Sequence, residues 1–222
     1  AKDSAASVTA KEAPIKSVTL TAKDKTNNLQ PIPEATVEYG LSGNVRLEMS
    51  FDTLDPSTSV NNRWYSVAAD GTTSEVKASA AYDLPNGLNA GEYTYRMIVT
   101  DTGSGYSVSK DITVTIDPAN LANAEAWINP SVDGKVNVSY VPGGVGVIIK
   151  SFTVNGITLD DGHGNLDETL FTVSGKEGLK VGTYTLKIEP TADNANFTGV
   201  FKKDWKIVPH KVDVTVDGAV VK

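Results

Sequence analysis

The chain has 222 residues, of which 40% are hydrophobic; it contains no cysteine and carries a formal net charge of -7. Its length is enough for one large or two ordinary domains, and the lack of cysteine excludes disulfide frameworks and thiolate metal sites. An acidic chain without a stripe of lysine and arginine is a poor nucleic-acid partner, and its apolar runs are far shorter than the roughly 18 to 20 residues that span a bilayer.

The predicted elements begin with an N-terminal tether, residues 1–14, which is rich in Ala, Ser, Thr and Lys. The first residue is Ala1 rather than Met, which suggests a processed N-terminus. Beyond the tether, apolar and polar residues alternate with the period of two that is typical of strands, and no segment has a convincing helical pattern. Alternation is clearest at residues 18–20, 45–51, 93–99, 112–116, 136–140, 184–188 and 212–216, with turn dipeptides at Asp70-Gly71, Asn86-Gly87, Gly143-Gly144 and Asn155-Gly156.

Many short strands separated by such turns predict an all-β fold, an antiparallel sandwich or barrel. An internal repeat then divides the chain. The stretch GLNAGEYTYRMIVTD, residues 87–101, returns as GLKVGTYTLKIEPTA, residues 178–192, at an offset of 91. A second anchor, GNVRL at residues 43–47 and GKVNV at residues 134–138, has the same offset. We therefore predict two copies of one domain of about 90 to 100 residues, with the same strand order in both.

Looser correspondences lie between the two anchors. Trp64 and the Asp70-Gly71 turn correspond to Phe152 and Asn155-Gly156. Tyr82 and Leu84 correspond to Phe171 and Val173.

These residues carry a resemblance to the immunoglobulin-like fold. Gly43, Val45 and Leu47 precede the Trp64-Tyr65 pair, and AGEYTY at residues 90–95 follows, as in a domain with a core tryptophan and a tyrosine corner. Met49 and Tyr95 stand where that pattern has its two cysteines, and Tyr140 and Leu186 do so in the second copy. The absence of cysteine and the opening SVTLTA, residues 17–22, are similar to the tandem immunoglobulin-like modules of bacterial surface and secreted proteins.

The resemblance implies a fold of two tandem immunoglobulin-like antiparallel β-sandwich domains, together with three structural residues. Trp64 is expected to fill the core between the sheets, and Tyr65, one residue on, to face the opposite side. Tyr93 and Tyr184 are expected to be corner tyrosines, each with a buried ring and a hydroxyl bonded to backbone a few residues upstream.

Composition shifts predict the domain boundaries. The short Pro/Asn/Ala segment at residues 117–123 marks the end of the first copy, so domain 1 covers residues 15–118 and domain 2 covers residues 119–210. Residues 211–222 read as a further strand or the start of a further module. That strand either continues the natural chain or pairs with the sheet edge of a neighbouring molecule, which would make self-association possible.

An acidic segment at residues 160–168 suggests a metal site. Asp160, Asp161, Asp167 and Glu168 lie close together in sequence with His163, as oxygen ligands do in calcium loops. The spacing does not match an EF-hand, and a solvated hairpin loop explains it equally well. No other cofactor is indicated, because the two histidines lack the paired spacing of a zinc site.

Four aromatic residues are candidates for ligand binding, because sugar-binding sandwiches stack pyranose rings on exposed aromatic faces. They are Tyr65, Tyr106, Trp127 and Trp205. The alternative is that Trp127 and Trp205 pack at a domain junction or sheet edge, and the sequence does not place the four on one surface.

Three function classes are compatible with these residues, and the third, an enzyme, is the least supported. The first is a structural or adhesive module that spaces, displays or assembles on a cell surface, pilus or virion, with a surface protein as partner. The second is a carbohydrate-binding accessory module of a secreted or surface protein, with a glycan as partner. We expect no enzymatic activity, because the chain has no Cys nucleophile, no G-x-S-x-G and no H-E-x-x-H. The resemblance implies an extracellular location or a virion surface, but a fold does not fix a function.

Overall fold

The computed structural model describes residues 12–130, 135–161 and 165–210. The chain divides between Asp117 and Pro118 into two compact units, unit 1 and unit 2. Both are built from β-strands, with three short 3₁₀ turns at Pro33–Ala35, Ser42–Asn44 and Leu121–Asn123. In the described part of the chain, no helix has the length and apolarity needed to cross a membrane.

Unit 1 is a sandwich of a four-stranded and a five-stranded sheet. The four-stranded sheet has the order β2-β1-β4-β7, and the five-stranded sheet has the order β3-β9-β8-β5-β6. The strands are β1 Ile15–Asp24, β2 Gln30–Pro31, β3 Thr36–Glu38, β4 Val45–Thr53, β5 Val60–Val67, β6 Thr73–Lys77, β7 Ala81–Asp83, β8 Gly91–Asp101 and β9 Ser107–Asp117.

The topology of unit 1 is immunoglobulin-like. β1, β4 and β7 occupy the places of strands A, B and E, and β5, β6, β8 and β9 those of C, C′, F and G. Most neighbouring strands are antiparallel, but β3 pairs with β9 in parallel, Thr36 opposite Thr115. The predicted fold class is confirmed, with this parallel pair as a feature that alternation along single strands could not reveal.

The core of unit 1 lies between the two sheets and includes the ring of Trp64. Trp64 is fully buried, among Leu47, Met97 and Val114. Tyr65 is half-buried and opposite Arg96 on the other face of the five-stranded sheet. Because successive side chains of a strand point to opposite faces, the burial of Trp64 places Tyr65 on the outer face.

Unit 2 is a smaller sandwich. A three-stranded sheet has the order β11-β14-β15, a four-stranded sheet has the order β12-β20-β18-β16, and β10-β19 and β13-β17 are short pairs. The strands are β10 Ala119–Asn120, β11 Glu125–Asn129, β12 Asn137–Ser139, β13 Val145–Gly146, β14 Ile148–Val154, β15 Ile157–Thr158, β16 Phe171–Ser174, β17 Glu177–Gly178, β18 Gly182–Pro190, β19 Phe197–Thr198 and β20 Phe201–Val208.

Aromatic rings fill the core of unit 2. Phe152 packs edge-on against Phe171 and Phe201, with ring centroids 5.8 and 5.3 Å apart, and Phe171 contacts Phe197 at 5.2 Å. Such edge-to-face contacts add to the gain from burying the rings. Trp205 lies in the same core, so unit 2 has its own tryptophan on its last strand.

The Pro/Asn/Ala segment after Asp117 folds as the first part of unit 2. Ala119 and Asn120 pair in parallel with Phe197 and Thr198, and the Asn120 side chain accepts a hydrogen bond from the Ala122 amide at 3.0 Å. Leu121 is fully buried. The segment is therefore folded chain rather than an open linker.

The predicted equivalence of the two copies is confirmed for the last two long strands. It is wrong for the second anchor, residues 43–47 and 134–138. Gly91 pairs with Ile116 in unit 1, and Gly182 pairs with Ile207 in unit 2, which preserves the offset of 91 in both strands. Leu47, however, lies in β4 and pairs with Ala22, whereas Val138 lies in β12 and pairs in parallel with Ile207. Val138 thus corresponds to Val37 of β3, which pairs in parallel with Ile116.

The strand order also differs between the units. In unit 1 the chain crosses to the five-stranded sheet for β5 and β6 and returns for β7, which pairs with β4. In unit 2 the Asn155-Gly156 turn, with positive φ at both residues, folds β15 directly back onto β14, and only then does the chain cross to β16. Trp64 lies in the sheet that contains the last two long strands of unit 1, whereas Phe152 lies in the other sheet of unit 2, so the two residues are not equivalent. Tyr82 and Phe171 are not equivalent for the same reason.

Replacing Trp64 by Ala should destabilise unit 1 by about 3 to 5 kcal/mol, because it empties a closed core site. Replacing Tyr65 by Ala should cost less than about 1 kcal/mol, since its ring lies on the outer face. Denaturant titration of both variants measures the difference. Equal losses would contradict the assignment of Trp64 to the core.

Candidate binding surfaces

Each unit contains a tyrosine whose hydroxyl holds the loop before its second-to-last long strand. The Tyr93 hydroxyl donates to the Asn89 carbonyl at 3.1 Å. The Tyr184 hydroxyl donates to the Lys180 carbonyl at 2.8 Å and accepts from the Lys180 amide at 3.1 Å. Both residues span the turn that leads into their strand, so they hold the backbone rather than a ligand.

The Tyr184 ring is enclosed on two sides in unit 2. It stacks on Trp205 with ring centroids 4.9 Å apart, and Gly178 lies against it so closely that a Cβ there would come within 2.5 Å of the ring. The Trp205 indole nitrogen donates to the Gly175 carbonyl at 2.8 Å. Trp205 is only 1% exposed. The prediction that Trp205 binds a ligand is therefore corrected: its ring faces and its nitrogen are already used inside the core.

The outer face of the five-stranded sheet of unit 1 carries charged pairs between neighbouring strands. Arg96 donates two hydrogen bonds to Asp111, at 2.7 and 2.8 Å, and Arg63 contacts Glu75 at 2.7 Å. The hydrogen bond from Arg96 holds the pKa of Asp111 below its usual value, and burial opposes this only in part. Tyr65 lies between these arginines, so its neighbours are charged groups that already pair with one another.

Three of the four acidic residues predicted as metal ligands have side-chain partners in their own surroundings, and the backbone of the fourth, Asp160, forms a bridge. Asp161 accepts from the Asn165 amide at 3.2 Å, Asp167 accepts from the Thr169 amide and hydroxyl at 2.9 and 2.6 Å, and Glu168 pairs with Lys176 at 2.8 Å. Asp160 forms an isolated bridge with Leu166. Within the described residues, no three acidic or histidine side chains gather as metal ligands would. His163 lies outside those residues.

The other predicted aromatic residues are exposed, but in different places. Tyr106 is exposed in the loop between β8 and β9, where its amide donates to the Ser104 hydroxyl at 3.2 Å. Trp127 lies on β11 of unit 2 and is 62% exposed. Ile148, on the neighbouring strand β14, is also exposed, and Asn129 pairs with it two residues beyond Trp127. Trp127 therefore combines an open ring with an exposed apolar residue on the neighbouring strand.

A second apolar surface in unit 2 was missed by the sequence analysis. Val141, Leu179 and Val181 are 51%, 69% and 52% exposed, and we call them the apolar patch. They flank the end of β20. The Tyr140 amide donates to the Val208 carbonyl at 2.9 Å on one side, and Gly182, next to Val181, pairs with Ile207 on the other.

A groove of about 860 Å³ extends from this patch along unit 2. Its walls are the glycine-rich segment 143–149 and residues 176–179, and Lys176 and Glu168 stand at its polar side. Gly144 has a positive φ of 105°, and a Cβ there would lie 2.9 Å from Leu179 Cδ2. A glycine at this position therefore allows the Leu179 side chain to lie against the backbone.

The repeat pairs one residue of this patch with an equivalent residue of unit 1. Leu179 corresponds to Leu88 at the offset of 91. In unit 1, Leu88 packs against the core, and its amide donates to the Ser42 hydroxyl at 3.3 Å. The equivalent leucine is thus partly buried in unit 1 and exposed in unit 2. Its exposure depends on the opposing loop and cannot be read from the leucine itself.

No family model matches the chain, and no curated protein matches it. Among solved structures it is similar to the fibronectin(III)-like modules of Clostridium thermocellum CbhA, with 13% identity, 91% of this chain and 100% of that chain covered, and a TM-score of 0.30. It is also similar to the three N-terminal domains of the bacteriophage RB49 highly immunogenic outer capsid protein, with 16% identity over 86% of this chain and a TM-score of 0.35.

A third similar structure contains the N-terminal four immunoglobulin domains of Dscam1 isoform 6.9, with 12% identity over 82% of this chain and a TM-score of 0.36. The chain spans 58% of the length of the phage structure and 45% of that of Dscam1.

Replacing Gly178 by Ala should destabilise unit 2 by about 1 to 3 kcal/mol, because the added methyl group overlaps the Tyr184 ring. Gly182 is the matched control, since it lies four residues away with nothing within 4 Å of its Cβ position. Thermal unfolding followed by the fluorescence of the buried tryptophans tests both variants. An unchanged Gly178→Ala variant would mean that the ring does not lie against this backbone.

Proposed function

We propose that this chain is a non-catalytic structural or adhesive protein of an extracellular surface, in which tandem sandwiches space or display what they are attached to. The observation that carries the proposal is a parallel strand pair that each unit forms between an early strand and its last strand. In unit 1, β3 pairs with β9, and in unit 2, β12 pairs with β20. We call each of these a terminal pair.

The two terminal pairs use the same hydrogen bond. The Tyr39 amide donates to the Asp117 carbonyl at 2.7 Å, and the Tyr140 amide donates to the Val208 carbonyl at 2.9 Å. In unit 2 the Lys206 amide also donates to the Val136 carbonyl at 2.9 Å. These bonds join the third strand of each unit to its last strand.

Parallel strands resist tension in a particular way. β1 and β2 precede β3, so the load reaches β3 after these two strands have detached; tension on the start of β3 and the end of β9 then slides the two strands along each other. Strand hydrogen bonds run across the strands, and sliding therefore loads them together rather than one at a time. A unit closed in this way suits a protein that transmits force along a surface structure.

The charged side chains of unit 1 support the same role. Arg46 donates to Asp83 at 2.7 and 3.1 Å between β4 and β7, which lowers the pKa of Asp83. The Arg96 and Asp111 pair joins β8 to β9 in the same manner. These ionic groups connect neighbouring strands of the scaffold. Because these pairs are exposed to solvent, each contributes little to the stability of the unit on its own.

Stretching single molecules tests the proposal. Because the chain contains no cysteine, a cysteine handle can be added at each end without competing thiols. We expect two unfolding events, and Tyr39→Pro should lower the unfolding force of unit 1 while unit 2 is unchanged. Proline removes the donating amide of the terminal pair.

Tyr39→Ala is the matched control, because it removes the same ring and keeps the amide. Tyr140→Pro and Tyr140→Ala make the same comparison in unit 2. If the proline and alanine variants unfold at equal force, the terminal pairs bear no load, and the structural proposal loses its basis.

Carbohydrate binding is the second candidate function, and the exposure of Trp127 favours it. An outer sheet face with an open indole ring and the exposed Ile148 on the neighbouring strand suits stacking against a sugar ring. The partner would be a soluble or surface polysaccharide. Tyr106 is exposed on unit 1 and gives a comparison residue of similar chemistry.

Affinity electrophoresis against a panel of polysaccharides, with and without calcium, tests this candidate. If it is correct, one glycan retards the chain, Trp127→Ala abolishes the retardation, and Tyr106→Ala preserves it. If retardation is lost when calcium is removed, the acidic segment 160–168 becomes the candidate calcium site. Migration unaffected by every glycan would leave the structural role alone.

A further inference from the structure

The apolar patch surrounds the point at which the described chain leaves unit 2. Val208 ends β20, and the Tyr140 amide is bonded to its carbonyl, one residue before Val141. On the other side, Ile207 pairs with Gly182, one residue after Val181. The exposed residues Val141 and Val181 therefore flank the end of β20.

Leu179 connects the two sides of the patch. The Gly144 amide donates to the Val141 carbonyl at 3.2 Å, which closes a turn, and Gly144 in turn lies against Leu179. The patch is thus one surface, made of the turn after β12 and the loop before β18. Apolar side chains this exposed and this close together usually mark a contact surface.

The sequence that follows β20 has an alternating apolar pattern that suits binding to the apolar patch. In residues 212–216, Val212, Val214 and Val216 alternate with Asp213 and Thr215. An extended segment with this pattern presents three valines on one face and polar groups on the other. These residues lie outside those that the structure describes.

The length of the connection keeps this segment close to the patch. Residues 209–211 separate Val208 from Val212, so the two Cα atoms are at most about 14 Å apart. A short connection of this kind gives an effective concentration on the order of millimolar. A second copy at micromolar concentration competes poorly with a segment held that near.

We propose that residues 212–216 of the same chain dock on the apolar patch, with their valines against Val141, Leu179 and Val181. The docked segment extends unit 2 beyond β20 and covers the carbonyl end of its terminal pair. This gives the exposed leucine of unit 2 the cover that Leu88 has within unit 1.

Hydrogen exchange on the full chain tests the docking, with Val214→Asp as the disrupting variant. In the wild type, amides of residues 212–216 should be protected, and residues 178–182 should exchange slowly at every protein concentration. Val214→Asp should speed exchange in both segments by roughly tenfold or more, since it places a carboxylate against apolar side chains.

Thr215→Asp is the matched control, because it adds the same charge one residue away on the polar face, and it should leave exchange unchanged. Equal effects of the two substitutions would overturn the proposal. Protection that disappears on dilution would overturn it as well, since the occupant would then be a second copy.

A coupling experiment excludes a general loss of structure. Leu179→Ser alone should speed exchange in residues 212–216, and adding Val214→Asp to it should produce little further change, because both remove the same contact. Leu54→Ser, at an exposed leucine of unit 1, should have no effect on that segment. Fully additive effects of Leu179→Ser and Val214→Asp would contradict direct contact.

Discussion

Both units depend on the antiparallel pairing of their last two long strands. β8 lies between β5 and β9, and β18 lies between β16 and β20, so each is a central strand whose neighbours hold the rest of the sheet in register. The corner tyrosine fixes where this central strand begins, because it bonds to the loop four residues upstream. Once the register is set, the free edge of the last strand can accept an early strand in parallel, which closes the unit.

This dependence explains why part of the repeat could be predicted from the sequence. Glycine, tyrosine and alternating apolar residues recur around Tyr93 and Tyr184 because each unit needs the same turn, ring and strand face. The residues around Val45 and Val136 share only a glycine and an alternating pattern. Such a pattern indicates a strand but not its partner, and β4 and β12 belong to different sheets of their units. Strand pairing depends on the whole chain, so the second anchor predicted a wrong equivalence, whereas the first predicted a correct one.

The candidate sites show the same limit at the level of side chains. The burial of Trp64 was implied by the resemblance to the immunoglobulin-like fold, and the place of Tyr65 on the outer face follows from the alternation of side chains along a strand. Trp205, by contrast, was predicted to bind a ligand, but its ring lies in the core of unit 2 and stacks on Tyr184. Leu179 and Leu88 occupy equivalent places and differ in exposure because different loops oppose them. Whether an apolar residue forms a core or a surface is thus decided by neighbours that are distant in sequence.

The two proposals for unit 2 meet at a single backbone bond. The Tyr140 amide and the Val208 carbonyl form part of the terminal pair, and the apolar patch begins one residue away at Val141. A hydrogen bond in low dielectric is electrostatically stronger than one exposed to water. A docked segment would exclude water from this bond and so strengthen the strand pair that tension loads. In unit 1, where Leu88 already packs against the core, the corresponding loop needs no added cover. The exposed aliphatic residues of unit 2 therefore have a physical reason to lie where the chain leaves β20, whether or not the face around Trp127 binds a glycan.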